Sequence, residues 1–154
     1  MIMIHKILFP VDFSEVSSKI VPWVIPVARK FESELHLLFV ARNLQYFDSL
    51  YVPHDTIQSL QDEIVRGGKK RVEEFARTYC ADYLTCKTSV AFGDAAEEIV
   101  RYIKSEEIDL VIIGTHGRKS LDRVLFGSVA DSVIKMSPAP VLSINPYRIK
   151  GLSE

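Results

Sequence analysis

Gly114, Gly117, Gly127 and Ser128 are residues of the kind that hold phosphate, and their spacing is regular. They read as Gly, two residues, Gly, nine residues, Gly-Ser. Glycine lets a backbone N–H approach a phosphate oxygen without a Cβ in the way. Ser128 begins a helical pattern in which Val129 and Val133 lie one turn apart, with Ala130 and Ile134 beside them. The first N–H groups of a helix have no acceptor within it, and the macrodipole is positive there. Ser128 is expected to cap this helix, and Asp131 suits its positive end. The intervening loop adds His116, Arg118, Lys119 and Arg123, cations that lower the cost of gathering several negative charges. The chemistry predicted is anion binding, with a phosphorylated ligand as the class.

Two better-known phosphate loops do not fit. GTHGRKS has the composition of a Walker A loop but not its spacing, since two residues rather than four separate the glycines and Arg118 precedes Lys119. A G-x-G-x-x-G dinucleotide fingerprint is absent. The pattern does resemble that of the universal stress protein family in its ATP-binding branch, where G-x2-G-x9-G-(S/T) follows the fourth strand and holds ribose and phosphates. Almost the whole chain shares the resemblance. It implies that Asp12, closing a Pro10-Val11-Asp12 strand end, contacts the nucleotide, and that the backbone of Val40 touches adenine. It assigns ribose and phosphates to Gly114, Gly117, Gly127, Ser128 and Val129, with His116 and Arg118 as additional contacts. The implied cofactor is ATP, carrying Mg2+ or Mn2+ on its phosphates, with no metal held by the protein alone. The implied function is a nucleotide-dependent regulatory switch in the stress response. The alternative is a dimeric interaction module of the same fold that binds no nucleotide. Slow ATP hydrolysis is the most enzymatic behaviour expected, because no acid and nucleophile stand at a convincing spacing and positioning alone accelerates little.

Elements must bring these residues together. Residues 4–11 read as a first strand ending at Asp12, which is also a reasonable helix cap. Residues 14–31 form a helix with an apolar stripe at Ile20, Val24, Val27 and Phe31. Pro22 and Pro26 fall on its opposite face and predict a kink. Residues 35–40, LHLLFV, are a buried second strand. Residues 42–54 are irregular and carry Tyr46, Phe47 and Tyr51, either a lid or a packing contact. A long helix follows over residues 55–79, opened by Asp55 and Gln58, with Gly67-Gly68 predicting a bend or frayed turn. Residues 84–91 alternate and carry Lys87, as an edge strand does. Asp94 and Glu97 open a third helix with a stripe at Ala96, Ile99, Val100 and Ile103. Leu110–Ile113 is a fourth strand covered on both faces, and residues 141–145 are a fifth after Pro138 and Pro140.

This alternation of strands and helices predicts an α/β fold: one open parallel five-stranded sheet with helices on both faces, Rossmann-like and similar to the adenine nucleotide alpha hydrolases. The apolar second strand and lysine-bearing third favour the order 3-2-1-4-5, which sets Asp12 and Gly114 across one crevice. The chain is expected to be a single domain over residues 1–154, and its 47% hydrophobic and 25% charged residues are ordinary for one. A net charge of −1 gives no electrostatic case for nucleic acid or a membrane surface. With no secretory pattern and only Cys80 and Cys86, which lack metal-ligand spacing, a cytoplasmic protein with reduced thiols is expected. The fifth strand, Val141-Leu142-Ser143-Ile144, is an uncharged edge, predicting a homodimer unless residues 147–154 fold over it.

Overall fold

The computed structural model describes residues 1–42, 53–83, 85–115 and 127–149. Nine elements alternate along it: β1 (Lys6–Val11), α1 (Glu15–Phe31), β2 (Glu34–Arg42), α2 (His54–Tyr79), β3 (Cys86–Gly93), α3 (Ala95–Glu106), β4 (Leu110–Gly114), α4 (Ser128–Met136) and β5 (Val141–Ile144). The strands form one parallel sheet in the order β3-β2-β1-β4-β5. This is the order that the contrast between an apolar β2 and a lysine-bearing β3 predicts. Lys87 indeed lies on the edge strand, exposed, where it pairs with Glu106 at 3.0 Å.

The period of two in a strand divides the core. Ile7, Phe9 and Val11 of β1 join Leu35 and Leu37 of β2 against Ile20, Val24 and Ala28 of α1 and Val72 and Phe75 of α2. Leu8, Leu38, Val111 and Ile113 point the other way, onto Ala96, Ile99 and Ile103 of α3 and Ala130 and Val133 of α4. Each large side chain buried in this way contributes about 1.5–3 kcal/mol. Both faces are covered, as a parallel sheet requires.

The helices depart from the sequence expectations in instructive ways. In α1 the buried stripe is Val16, Ile20, Val21, Val24 and Ala28, whereas Val27 is half-buried and Phe31 exposed. The helix runs through Pro22 and Pro26, both exposed, so the bonds they forfeit lie on the water side. The D-x-x-Q opening of α2 is not used: Pro53 is the N-cap, and Gln58 turns to Asp62 at 3.2 Å. The glycine pair does not interrupt α2. A Cβ on Gly68 would stand 2.9 Å from Phe39 Cδ1, so the glycine lets the helix lie close to β2. In α3 the expected cap is made, with the Glu97 N–H donating to Asp94 Oδ1 at 3.0 Å. β3 begins and ends two residues later than its sequence suggests.

One polar group lies deep in the β2–α3 interface. His36 is completely buried within the LHLLFV strand. Its Nδ1 lies 2.8 Å from Tyr102 Oη and its Nε2 2.5 Å from Glu34 Oε1, while Ser89 Oγ is 3.2 Å from the same phenol oxygen. Burial lowers the pKa of His36, and the neighbouring Glu34 opposes this only in part. A neutral ring that donates from Nε2 and accepts from Tyr102 gives every atom a partner. The network pins α3 to the sheet.

Candidate functional site

The site begins with a proline where a central strand should not have one. His5 O accepts from Glu34 N–H at 2.7 Å and Lys6 O from Asp109 N–H at 3.0 Å. Backbone groups alternate along a strand, so the even-numbered residues of β1 address β4. Pro10 therefore turns its donorless nitrogen toward β4. The β1–β4 ladder pairs Ile7 with Leu110 and Leu8 with Val111, while the β1–β2 ladder continues to Val11 and Phe39. Asp12 N–H then leaves the sheet for Ser17 Oγ at 3.1 Å. On the other side, Thr115 N–H bonds Ile144 O at 2.9 Å, so the end of β4 is held to β5. One central strand is tied left and the other right. The ladder between them thus ends before their carboxyl ends, at the switch point of the sheet order, where open parallel sheets have their crevice.

Asp12 stands at the lip of this crevice, and its carboxylate organises the turn. Oδ1 accepts from Ser14 N–H at 2.9 Å, from Ser14 Oγ at 2.5 Å and from Ser17 Oγ at 2.9 Å. Asp12 is therefore not the helix cap that the sequence allowed: Ser14 occupies the N-cap position, and Asp12 fastens the turn that leads into it. Between them Phe13 adopts φ 60°, rare for a bulky side chain. Its ring packs on Phe39 with centroids 4.6 Å apart, and the Arg71 guanidinium lies 4.3 Å above it. This contact of β1, β2 and α2 beside the crevice has no signal in the sequence, because a positive φ at phenylalanine follows no local preference. Val40 is half-buried near the end of β2, against the α3–α4 side of the core.

Gly114 closes β4 for a packing reason. A Cβ there would come within 2.4 Å of Val16 Cγ1, so α1 crosses β4 with no room for a side chain. At the far side of the loop Gly127, not Ser128, is the N-cap of α4. Ser128 is the first helical residue and exposed, and Val129 is half-buried. Gly127 has no side chain to satisfy the first N–H groups, and its φ of −63° and ψ of 146° are open to any residue. Topology turns this N-terminus toward the carboxyl ends of the strands, because α4 runs antiparallel to β4. Asp131 in its first turn is paired with Lys135 at 2.8 Å. His116, Gly117 and Arg118, with Lys119 and Arg123, lie outside the described residues, as do Tyr46, Phe47 and Tyr51. Among the described residues no group of three His, Cys, Asp or Glu is arranged to hold a metal. No helix among them is long and apolar enough to cross a membrane.

Comparison with known proteins places this geometry. The model of the universal stress protein family matches residues 3–145. Universal stress protein MJ0531 of Methanocaldococcus jannaschii is 30% identical over 144 residues, covering 90% of this chain and 81% of that protein. Universal stress protein YxiE of Bacillus subtilis is 28% identical over 147 residues, covering 92% and 99%. Among solved structures, protein MJ0577 superimposes with a TM-score of 0.77 at 29% identity, over 93% of this chain and 96% of that one. The same fold recurs in a universal stress protein from Archaeoglobus fulgidus in complex with dAMP (TM-score 0.65, 17% identity) and in one in complex with cAMP (TM-score 0.60, 15% identity). With a family model spanning nearly its full length and a sheet order to match, this chain belongs to the universal stress protein family.

Proposed function

We propose that this protein binds ATP in the crevice between β1 and β4, with Mg2+ or Mn2+ on the phosphates, and acts as a nucleotide-dependent switch in stress regulation. The observation that carries the reading is the opening of the sheet after Leu8 and Val111, beside a helix N-terminus whose N-cap, Gly127, brings no side chain of its own. Such an end holds phosphate through its N–H groups and its dipole. Pro10, Val11, Asp12 and Val40 would face the adenosine, and Gly114, Gly117, Gly127, Ser128 and Val129 the ribose and phosphates, with His116 and Arg118 adding charge. The divalent ion would neutralise phosphate charge alongside these side chains. Calorimetric titration of the purified protein with ATP and MgCl2 tests this directly. Absence of binding, together with no adenine nucleotide released on denaturation, would leave the dimeric interaction module as the better reading.

Asp12 permits a sharper test. Asparagine keeps the Oδ1 acceptor that holds Ser14 and Ser17, so Asp12→Asn should leave the melting temperature of the nucleotide-free protein nearly unchanged. A carboxylate accepts hydrogen bonds more strongly than an amide, so ATP affinity should fall by about fivefold, near 1 kcal/mol. Unaltered affinity in the same titration would confine Asp12 to its turn.

We also propose that two copies pair through β5. Leu142 and Ser143 are exposed on this uncharged edge. Tyr147 meets the Lys19 ammonium of α1 at 4.8 Å and Ile149 packs on the core beneath α1 and α2, which directs residues 147–149 toward that face. Antiparallel pairing of identical strands about a two-fold axis is self-complementary. Leu142→Lys should convert dimer to monomer in sedimentation velocity. A native protein that sediments as a monomer at tens of micromolar would remove this proposal.

A further inference from the structure

Ser17 is the one polar residue among the buried side chains of α1, in company with Val16, Ile20, Val21, Val24 and Ala28. Alanine would suit that face better, since it favours a helix more and brings no polar atom to bury. Yet serine stands there, 4% exposed, and both functions of its hydroxyl go to Asp12. The oxygen accepts from the Asp12 N–H at 3.1 Å, and the proton is given to Asp12 Oδ1 at 2.9 Å. Ser14 also meets Oδ1, through its N–H and its hydroxyl, but it is only half-buried and its contacts reach the carboxylate alone. Ser17 therefore fixes the backbone and the carboxylate of Asp12 together. It is itself held firmly, because Val16 beside it packs where Gly114 leaves room for α1 against β4.

From this placement we propose that Ser17 is a positioning residue of the nucleotide site, holding the Asp12 carboxylate in its binding orientation before the ligand arrives. The inference rests on the reading of the crevice as an ATP site and adds to it a residue that touches no ligand. Val11 is the last residue of β1 in the ladder with β2. By the alternation along the strand, the N–H of Asp12 would address β4 next. Ser17 takes that N–H instead, so the chain leaves the sheet at Asp12. From there the direction of the Asp12 side chain is set by its hydrogen bonds and not by the pleat of a strand. Without the Ser17 hydroxyl, the backbone and the carboxylate of Asp12 are no longer tied to one point on α1. Each ligand molecule must then order them itself, and that ordering is subtracted from the free energy of binding. Ser17 acts on affinity through Asp12 alone.

Calorimetric titration of ATP and MgCl2 into the native protein, Ser17→Ala, Asp12→Ala and the double variant tests this. In the native background Ser17→Ala should lower affinity by about fourfold, and by no more than Asp12→Ala does. In the Asp12→Ala background the same change should alter affinity by less than about 1.5-fold, because the group that Ser17 positions is gone. Where Ser17→Ala fails to fold, Ser17→Cys gives the same cycle, since a thiol nearly fills the space of the hydroxyl and is a weaker donor. An equal loss in both backgrounds would overturn the proposal, for Ser17 would then support the fold of the site and not Asp12. Native affinity in Ser17→Ala would overturn it as well. A native protein that takes up no ATP is a different result: it removes the nucleotide reading itself, and this inference with it.

Discussion

Gly127→Val is expected to weaken ATP binding by at least about tenfold, near 1.4 kcal/mol, while the nucleotide-free protein melts within about 4 °C of the native one. The asymmetry follows from the local geometry. With φ −63° and ψ 146°, Gly127 sits in backbone space that valine adopts freely, so no strain requires glycine there. Valine is a poorer N-cap than glycine, which accounts for the small loss of stability. A β-branched side chain at the mouth of α4, however, would occupy space beside the N–H groups of Ser128 and Val129. Gly127→Ser sharpens the test: serine is a good cap and should preserve or raise stability, yet it still places a Cβ against the ligand. Calorimetry with ATP and thermal melts of the three proteins give both quantities. Equal affinity in all of them would remove the α4 N-terminus from the binding site.

How far the sequence discloses this molecule depends on whether a feature is local or lies between distant segments. The sheet order was legible because burial leaves a compositional trace: β2 is apolar almost throughout, while β3 bears Lys87. The α3 cap was legible because Asp94 and Glu97 lie within one turn. Family membership was legible from the glycine spacing, and the matched family model bears it out. What could not be read are contacts between segments far apart in the chain. Gly67-Gly68 was expected to bend or fray α2, but the missing Cβ of Gly68 makes room for Phe39. His36 interrupts no pattern in LHLLFV, yet it needs Tyr102 and Glu34 to be buried at all. The opening of the crevice at Pro10 depends on which neighbour that residue addresses, and this appears only once the strands are paired. The cap of α4 moved by one residue, from Ser128 to Gly127, for a simpler reason: serine is the better cap, but glycine is also accepted there at a small cost.

Gly114 marks the limit of reading the glycine motif as phosphate chemistry, and Gly114→Ala should show it. The new Cβ would lie 2.4 Å from Val16 Cγ1, far inside van der Waals contact. Val16 cannot easily swing away, since it is 6% exposed and β-branched, and valine in a helix has essentially one χ1 rotamer. Relief must come from moving α1 off the sheet, which costs about 1–3 kcal/mol as overpacking does. That corresponds to a fall in melting temperature of about 2–12 °C for a chain of this size. The shift of α1 would also carry Ser14 and Ser17 away from Asp12, so any loss of ATP affinity in Gly114→Ala is expected to be secondary to packing. A double-mutant cycle separates the causes. Val16→Ala alone leaves a small cavity and is destabilising, but in the Gly114→Ala background the methyl groups exchange places and stability should return most of the way. Denaturant titration of the four proteins gives the coupling. Strictly additive losses would mean that Val16 does not set the requirement for glycine, and the first residue of the motif would then owe its identity to the ligand after all.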